Sequence, residues 1–134
     1  SSLNQKLNVI FCIGETLYEK KRNRTFFVLR KQINSSLGKK FNINRIIIAY
    51  EPVWSIGTNK IPKMNELKNT IQFIKNDFKK NLKTKKFPKV LYGGSINDKN
   101  IRLFSSIVEI DGFLIGGASQ SSKKFIDIVK NYYK

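Results

Sequence analysis

Apolar residues recur along this chain in two periods, and the two alternate. Short runs rich in β-branched and aromatic residues, Val9-Ile10-Phe11-Cys12-Ile13 and Arg45-Ile46-Ile47-Ile48-Ala49-Tyr50, read as buried strands. After each comes a longer stretch whose apolar side chains return every three or four positions, the spacing of one helix face. The pattern predicts a first strand near Asn8 to Ile13. A helix follows, beginning after Thr16, with its clearest stripe at Phe26, Leu29, Ile33 and Leu37 and with Gly38 as a C-terminal stop. The second strand is Arg45 to Tyr50. The best helix of the chain comes after its loop, carrying Met64, Leu67, Ile71, Ile74, Phe78 and Leu82.

The third strand is Lys89 to Tyr92, followed by Gly93-Gly94-Ser95 and a short helix around Asp98 to Phe104. The fourth is Gly112 to Ile115, followed by Gly116-Gly117-Ala118-Ser119 and a helix carrying Phe125, Ile128 and Val129. Strands alternating with helices predict an α/β fold with a parallel sheet and right-handed crossovers. No Pro-rich or Ser-rich linker interrupts the order, so residues 1–134 read as a single contiguous unit.

Composition narrows the chemistry. With 134 residues, 40% of them hydrophobic and 26% charged, the chain is sized for one globular domain. No run approaches the roughly 20 apolar residues of a membrane span, and nothing resembles a signal peptide, so no membrane partner is expected. There is no histidine, which excludes a Ser-His-Asp triad or an imidazole metal site built from this chain alone. The single cysteine, Cys12, sits in an apolar run and reads as core; alone, it forms no internal disulfide, which fits a reducing compartment. The only methionine is Met64, so the chain does not begin at an initiator residue.

A net charge of +17 invites a nucleic-acid reading. The charges, however, fall in pairs and short groups such as Lys20-Lys21-Arg22, Lys39-Lys40, Lys79-Lys80 and Lys123-Lys124, mostly opposite the apolar stripes. The densest run, Lys83-Thr84-Lys85-Lys86, reads as a connection. Non-specific attraction to polyanions is expected, and no specific nucleic-acid partner.

Three places carry candidate chemistry. Tyr92-Gly93-Gly94-Ser95 and Gly116-Gly117-Ala118-Ser119 each lie between a strand and a helix, where paired glycines admit a ligand to the backbone and free N–H groups suit an anion. Glycine also serves turns that bind nothing, but two such turns after the last two strands strengthen the anion reading. In (β/α)8 barrels the loops after strands seven and eight frequently bind phosphate. The third place is Glu51, at a strand end. It reads either as an ordinary loop acid or as a proton-abstracting carboxylate under a lid, with Pro52 and Trp54 anchoring Ser55-Ile56-Gly57-Thr58-Asn59. Closure of such a lid excludes water and raises carboxylate basicity. Cys12-Ile13-Gly14-Glu15 ends the first strand similarly; with no histidine to activate the thiol, Glu15 reads as an ion-pair or helix-start residue.

Taken in order, Cys-Ile-Gly-Glu at 12–15, Ala-Tyr-Glu-Pro-Val-Trp at 49–54, Ile-Gly-Thr at 56–58, Tyr-Gly-Gly-Ser at 92–95 and Asp-Gly-Phe-Leu-Ile-Gly-Gly-Ala-Ser at 111–119 closely resemble the C-terminal half of the triosephosphate isomerase family. The resemblance runs through essentially the whole chain. It implies a (β/α)8 TIM barrel of which this chain supplies the last four βα units. The family is the standard worked case of a glutamate base acting with a neutral histidine under a closing loop.

Carried over, Glu51 is the base that moves a proton between two carbons of the triose through an enediolate, in glycolysis and gluconeogenesis. Gly57, Ser95, Gly116 and Gly117 hold the substrate phosphate. The lid and its hinges run through Pro52, Val53, Trp54, Ser55, Ile56, Thr58, Asn59 and Lys60, and Tyr92 latches them. The substrate is a small phosphorylated triose, no metal or organic cofactor is implied, and the location is cytoplasmic.

Two lid positions depart from the family: Ser55 stands where alanine is usual, and Asn59 where glycine is usual. Asparagine tolerates positive φ better than most residues, so closure should be slowed or shifted rather than lost. Asn59→Gly in a complete enzyme is expected to change turnover, and identical kinetics would refute that. The larger departure is length, since the family barrel needs about 250 residues. The missing N-terminal half is expected to bear the substrate-binding asparagine and lysine, the histidine electrophile and most of a homodimer interface. Without them the chain alone is expected to be inactive, a deficit of about 10²–10³ or more. Its open sheet edges and uncovered apolar face favour dimerisation, aggregation or a partly molten state. The competing reading is a stand-alone basic half-barrel that binds anions or nucleic acid without catalysis, which a salt-dependent nucleic-acid shift assay would separate.

Overall fold

The computed structural model describes residues 7–37 and 41–134. Four strands, β1 (Val9–Ile13), β2 (Ile46–Tyr50), β3 (Lys89–Gly93) and β4 (Gly112–Leu114), form one parallel sheet in sequence order. Between and after them run α1 (Leu17–Lys21), α2 (Thr25–Ser36), α3 (Met64–Asn81), α4 (Ile101–Ser105) and α5 (Ser122–Tyr132). This is the predicted α/β order.

The register sorts the side chains onto two faces. Phe11, Ile13, Ile48, Tyr50, Val90, Tyr92 and Phe113 share one face, which joins the helices in the core. Ile10, Cys12, Ile47, Leu91 and Leu114 share the other, where Ile10 is 50% exposed, Cys12 is exposed, and Ile47, Leu91 and Leu114 are half-buried. The expectation that Cys12 is core is therefore corrected. Strand alternation turns Ile13 and Phe11 toward the helices and leaves Cys12 on the bare face.

α3 is the helix the periodicity predicts. Leu67, Ile71, Ile74 and Phe78 are fully buried, each contributing about 2 kcal/mol of transfer free energy. Asp77 on the same helix is buried and accepts a hydrogen bond from Arg30 Nε of α2 at 2.7 Å, fastening the two helices together. Asp111 does comparable work in the sheet: its Oδ2 accepts from Val90 N at 2.8 Å and pairs with Lys75 Nζ at 2.8 Å, tying the β4 approach to β3 and α3.

The first helical stretch departs from expectation. Thr16 caps α1 through a capping box with Glu19, but Asn23 takes a φ of +56° and the chain breaks before restarting as α2. The restart rotates the stripe. Leu29, Ile33 and Leu37 are buried with Val28, while Phe26 is 44% exposed and stacks flat on Phe73 at 4.2 Å. Gly38 lies outside the described residues. Three further boundaries shift: α4 begins at Ile101, a 3-10 turn (Gly117–Gln120) separates Gly116-Gly117 from α5, and the final helix buries Ile128 alone. Phe125 and Val129 are each 40% exposed and line an apolar groove of about 200 Å³ with Phe113, Ile115 and Tyr132.

Candidate active site

All the loops of interest leave the same edge of the sheet, because parallel strands end on one side. Glu51 follows β2 directly, and its N–H donates to the Ile13 carbonyl at 2.8 Å, continuing the β1–β2 ladder by one step. Two glycines make room for it. A Cβ on Gly14 would overlap the Glu51 carbonyl oxygen, and a Cβ on Gly93 would lie 2.5 Å from Glu51 Oε1 and 2.7 Å from its Cγ. The Glu51 side chain thus reaches over Gly93, on the bare face of the sheet. The Gln32 amide fixes Gly14 from α2, accepting from its N–H at 3.0 Å and donating to its carbonyl at 2.9 Å. Sequence reasoning missed both Gln32 and the role of these glycines. Only their place beside the quoted motifs marked them.

Cys12 is the third member of this corner. Partial desolvation at the foot of the exposed face pushes its thiol up, and the neighbouring Glu51 carboxylate adds to the shift through its charge and a hydrogen bond. A raised thiol carries less thiolate at pH 8 than a free cysteine does. Alkylation by iodoacetamide at that pH, followed by mass spectrometry, should therefore be slower than for free cysteine. Glu51→Gln should accelerate it about threefold or more by removing the charge. An unchanged rate would mean that the two side chains do not interact.

Glu15 is not the ion-pair or helix-start residue expected. It is 1% exposed, and its carboxylate accepts from Tyr50 Oη at 3.1 and 3.2 Å and from Trp54 Nε1 at 3.0 Å, while Thr16 takes the cap. Burial, then the Glu15 charge, pushes the Tyr50 phenol up, so it stays a neutral donor. The Glu15 carbonyl also accepts from Val53 N at 3.0 Å, and the Lys20 ammonium lies 4.9 Å from the Trp54 ring centroid. Pro52, Val53 and Trp54 are thus moored to the end of β1.

The following segment is a series of turns. Gly57 and Asn59 both adopt the left-handed region, at φ +66° and +59°. Asparagine accepts that conformation at lower cost than other side chains, which is how Asn59 occupies its place. Thr58 Oγ1 donates to the Trp54 carbonyl at 2.9 Å and accepts from Lys60 N at 3.2 Å; Ile56 is 51% exposed. Ser55 is fully buried. Its hydroxyl donates to the Lys60 carbonyl at 2.5 Å and lies 3.4 Å from Tyr92 Oη, so one side chain bridges both ends of the segment. Ser95 Oγ donates to the Ser55 carbonyl at 2.5 Å and accepts from Asn59 N at 3.0 Å. Burial pushes the Tyr92 phenol up as well.

A cavity of about 310 Å³ lies beside these turns, and Gly57, Ser95, Gly116 and Gly117 all line it. The fold therefore brings together four residues drawn from three separate loops. Glu51 is not in that lining; it lies next door, across Gly93 and Gly94. Asp98 and Lys124 also line the cavity, and nothing in the sequence pattern singled them out. Among the described residues no three Cys, Asp or Glu side chains cluster as metal ligands, and no helix is long and apolar enough to cross a membrane.

The sequence model of one protein family, Triosephosphate isomerase, matches residues 1–132. Proteins named triosephosphate isomerase from Dictyoglomus thermophilum, Debaryomyces hansenii and Geotalea uraniireducens are 41%, 39% and 37% identical to this chain over 136, 132 and 134 residues. Those alignments cover 97–98% of this chain and 53–54% of each relative, so the chain spans about half the length of the curated relatives it matches. With the family model matching nearly the whole chain and relatives 37–41% identical to it, the chain belongs to the triosephosphate isomerase family.

Proposed function

We propose that residues 1–134 are the C-terminal half of a (β/α)8 barrel, strands five to eight, and that in the complete barrel they interconvert dihydroxyacetone phosphate and glyceraldehyde 3-phosphate. Glu51 takes a proton from C1 of the ketose; the electron pair left behind becomes the C1–C2 double bond as the C2 carbonyl pair moves onto O2, giving an enediolate. The protonated Glu51 then returns the proton to C2 while the hydroxyl proton of O1 passes to O2, leaving the aldehyde at C1. Gly57, Ser95, Gly116 and Gly117 hold the phosphate, while the segment from Pro52 to Lys60, latched by Tyr92, closes over it. The N-terminal half supplies the other wall, the histidine electrophile, the lysine and the asparagine, and covers the bare face of Ile10, Ile47 and Leu91. The complete protein is a cytoplasmic homodimer and uses no cofactor.

One observation carries this reading: three loops converge on one cavity beside Glu51, among the described residues the only acid that stands directly at the end of a central strand. Backbone N–H groups around a cavity suit an anion, and a carboxylate next to it is placed to reach the carbon chain that the anion anchors. The test is reconstitution. Isomerisation is measured for this chain alone, for the separately produced N-terminal half of a relative such as the Dictyoglomus thermophilum protein, and for the two refolded together. Turnover only in the mixture is the expected result. A folded mixed complex without turnover would overturn it and favour the second reading, an anion-binding half-barrel without catalysis, which draws on the net charge of +17 and on a cavity lining that lacks Glu51.

A further inference from the structure

We infer that Lys124 is a specificity-determining residue of the phosphate cradle, supplying the full positive charge that the backbone N–H groups lack and that offsets Asp98. The inference rests on the reading of that cavity as the phosphate site. Among the described residues lining it, Lys124 is the one cation and Asp98 the one acid; the rest are glycine, serine, asparagine, alanine and isoleucine. Lys124 stands in the first turn of α5, where its N–H donates to the Ser121 hydroxyl at 3.4 Å. It takes part in none of the four ion pairs formed by Lys20, Arg30, Lys68 and Lys75, and its side chain is exposed and free to follow an incoming anion.

Peptide dipoles attract any anion, but they hold no full charge to offset Asp98. With Lys124 the lining is formally neutral; without it the lining carries the negative charge of Asp98. A dianion is penalised by that charge about twice as strongly as a monoanion, since the Coulomb energy scales with the product of charges. Lys124 therefore sets the preference of the cradle for a doubly ionised phosphate, and with it the gain in affinity as phosphate loses its second proton. The 3-10 turn between Gly117 and Gln120 makes this possible by offsetting the helix start, so that the fourth residue beyond Gln120 returns to the cavity.

The experiment is a titration of this chain, isotope-labelled and refolded with the unlabelled N-terminal half of a relative, with inorganic phosphate at pH 6 and pH 8, followed by backbone amide NMR at Gly57, Ser95, Gly116 and Gly117. Wild type is expected to shift those four amides and to bind more tightly at pH 8. Lys124→Ala is expected to weaken binding about fivefold at pH 8 and to flatten the pH gain, and Lys124→Arg to restore both. Lys123→Ala removes the same net charge one residue away, outside the lining, and is expected to bind as wild type does. Shifts at the four amides with Lys124→Ala and wild type equal would overturn the role of Lys124 and leave the cradle standing. Equal losses in Lys123→Ala and Lys124→Ala would reduce the effect to overall charge and overturn it too. No shift at the four amides in wild type would overturn the cradle itself.

Discussion

Glu51→Gln in the assembled enzyme is expected to lower kcat about 10³-fold while leaving KM nearly unchanged. Glutamine matches the shape of the carboxylate, so it fits over Gly93 and keeps the Glu51 N–H on the Ile13 carbonyl. What it loses is the ability to accept a proton, and general acid–base catalysis is worth about 10²–10⁴. A loss confined to kcat is the signature of an interaction made in the transition state rather than in substrate binding. Steady-state kinetics in both directions check it. A fall of less than about tenfold would mean that another group carries the proton, and the proposed role of Glu51 would be lost.

Gly14→Ala is expected to destabilise the fold by about 3 kcal/mol, near the upper end of the cost of overpacking a closed site. The added methyl meets the Glu51 carbonyl oxygen and carbon and sits 3.1 Å from Pro52 N, all of them main-chain atoms. No rotamer change relieves that contact. Relief requires moving either strand end, which breaks the 2.8 Å bond from Glu51 N to Ile13 O and pulls Gly14 from the Gln32 amide. Gly117→Ala serves as the control, since a Cβ there meets nothing within 4 Å. Urea unfolding monitored by circular dichroism should show a large drop in midpoint for the first variant and little change for the second. Equal midpoints would mean that Gly14 and Glu51 are less tightly apposed than the geometry gives.

The strands and the longest helix were legible because a strand apolar on both faces and a helix apolar on one leave distinct patterns. The same signal hid the fate of Cys12. A continuous apolar run records that a strand is buried somewhere but not which residues face the helices, and only the register with β2 decides it. Glu15 failed for a different reason: its partners Tyr50 and Trp54 lie 35 and 39 positions away, so no local pattern carries the contact. The break at Asn23 was missed because an asparagine in the left-handed region looks, in sequence, like any polar residue on a helix surface. Gly57, Ser95, Gly116 and Gly117 were named through the family resemblance, with spacing contributing only the suspicion of paired turns. Lys124 had no such help, because two adjacent lysines on a basic helix read as a solvated face.

The mooring of Trp54 has a practical side. This is the sole tryptophan of the chain, and it sits at the root of the turn segment with its indole N–H on the buried Glu15 and a lysine ammonium near its ring. Indole emission responds in wavelength and intensity to the loss of such neighbours. The molecule therefore carries its own optical reporter at the root of the segment, and stopped-flow fluorescence on unlabelled, unmutated protein tests directly whether the proposed closure takes place and how fast.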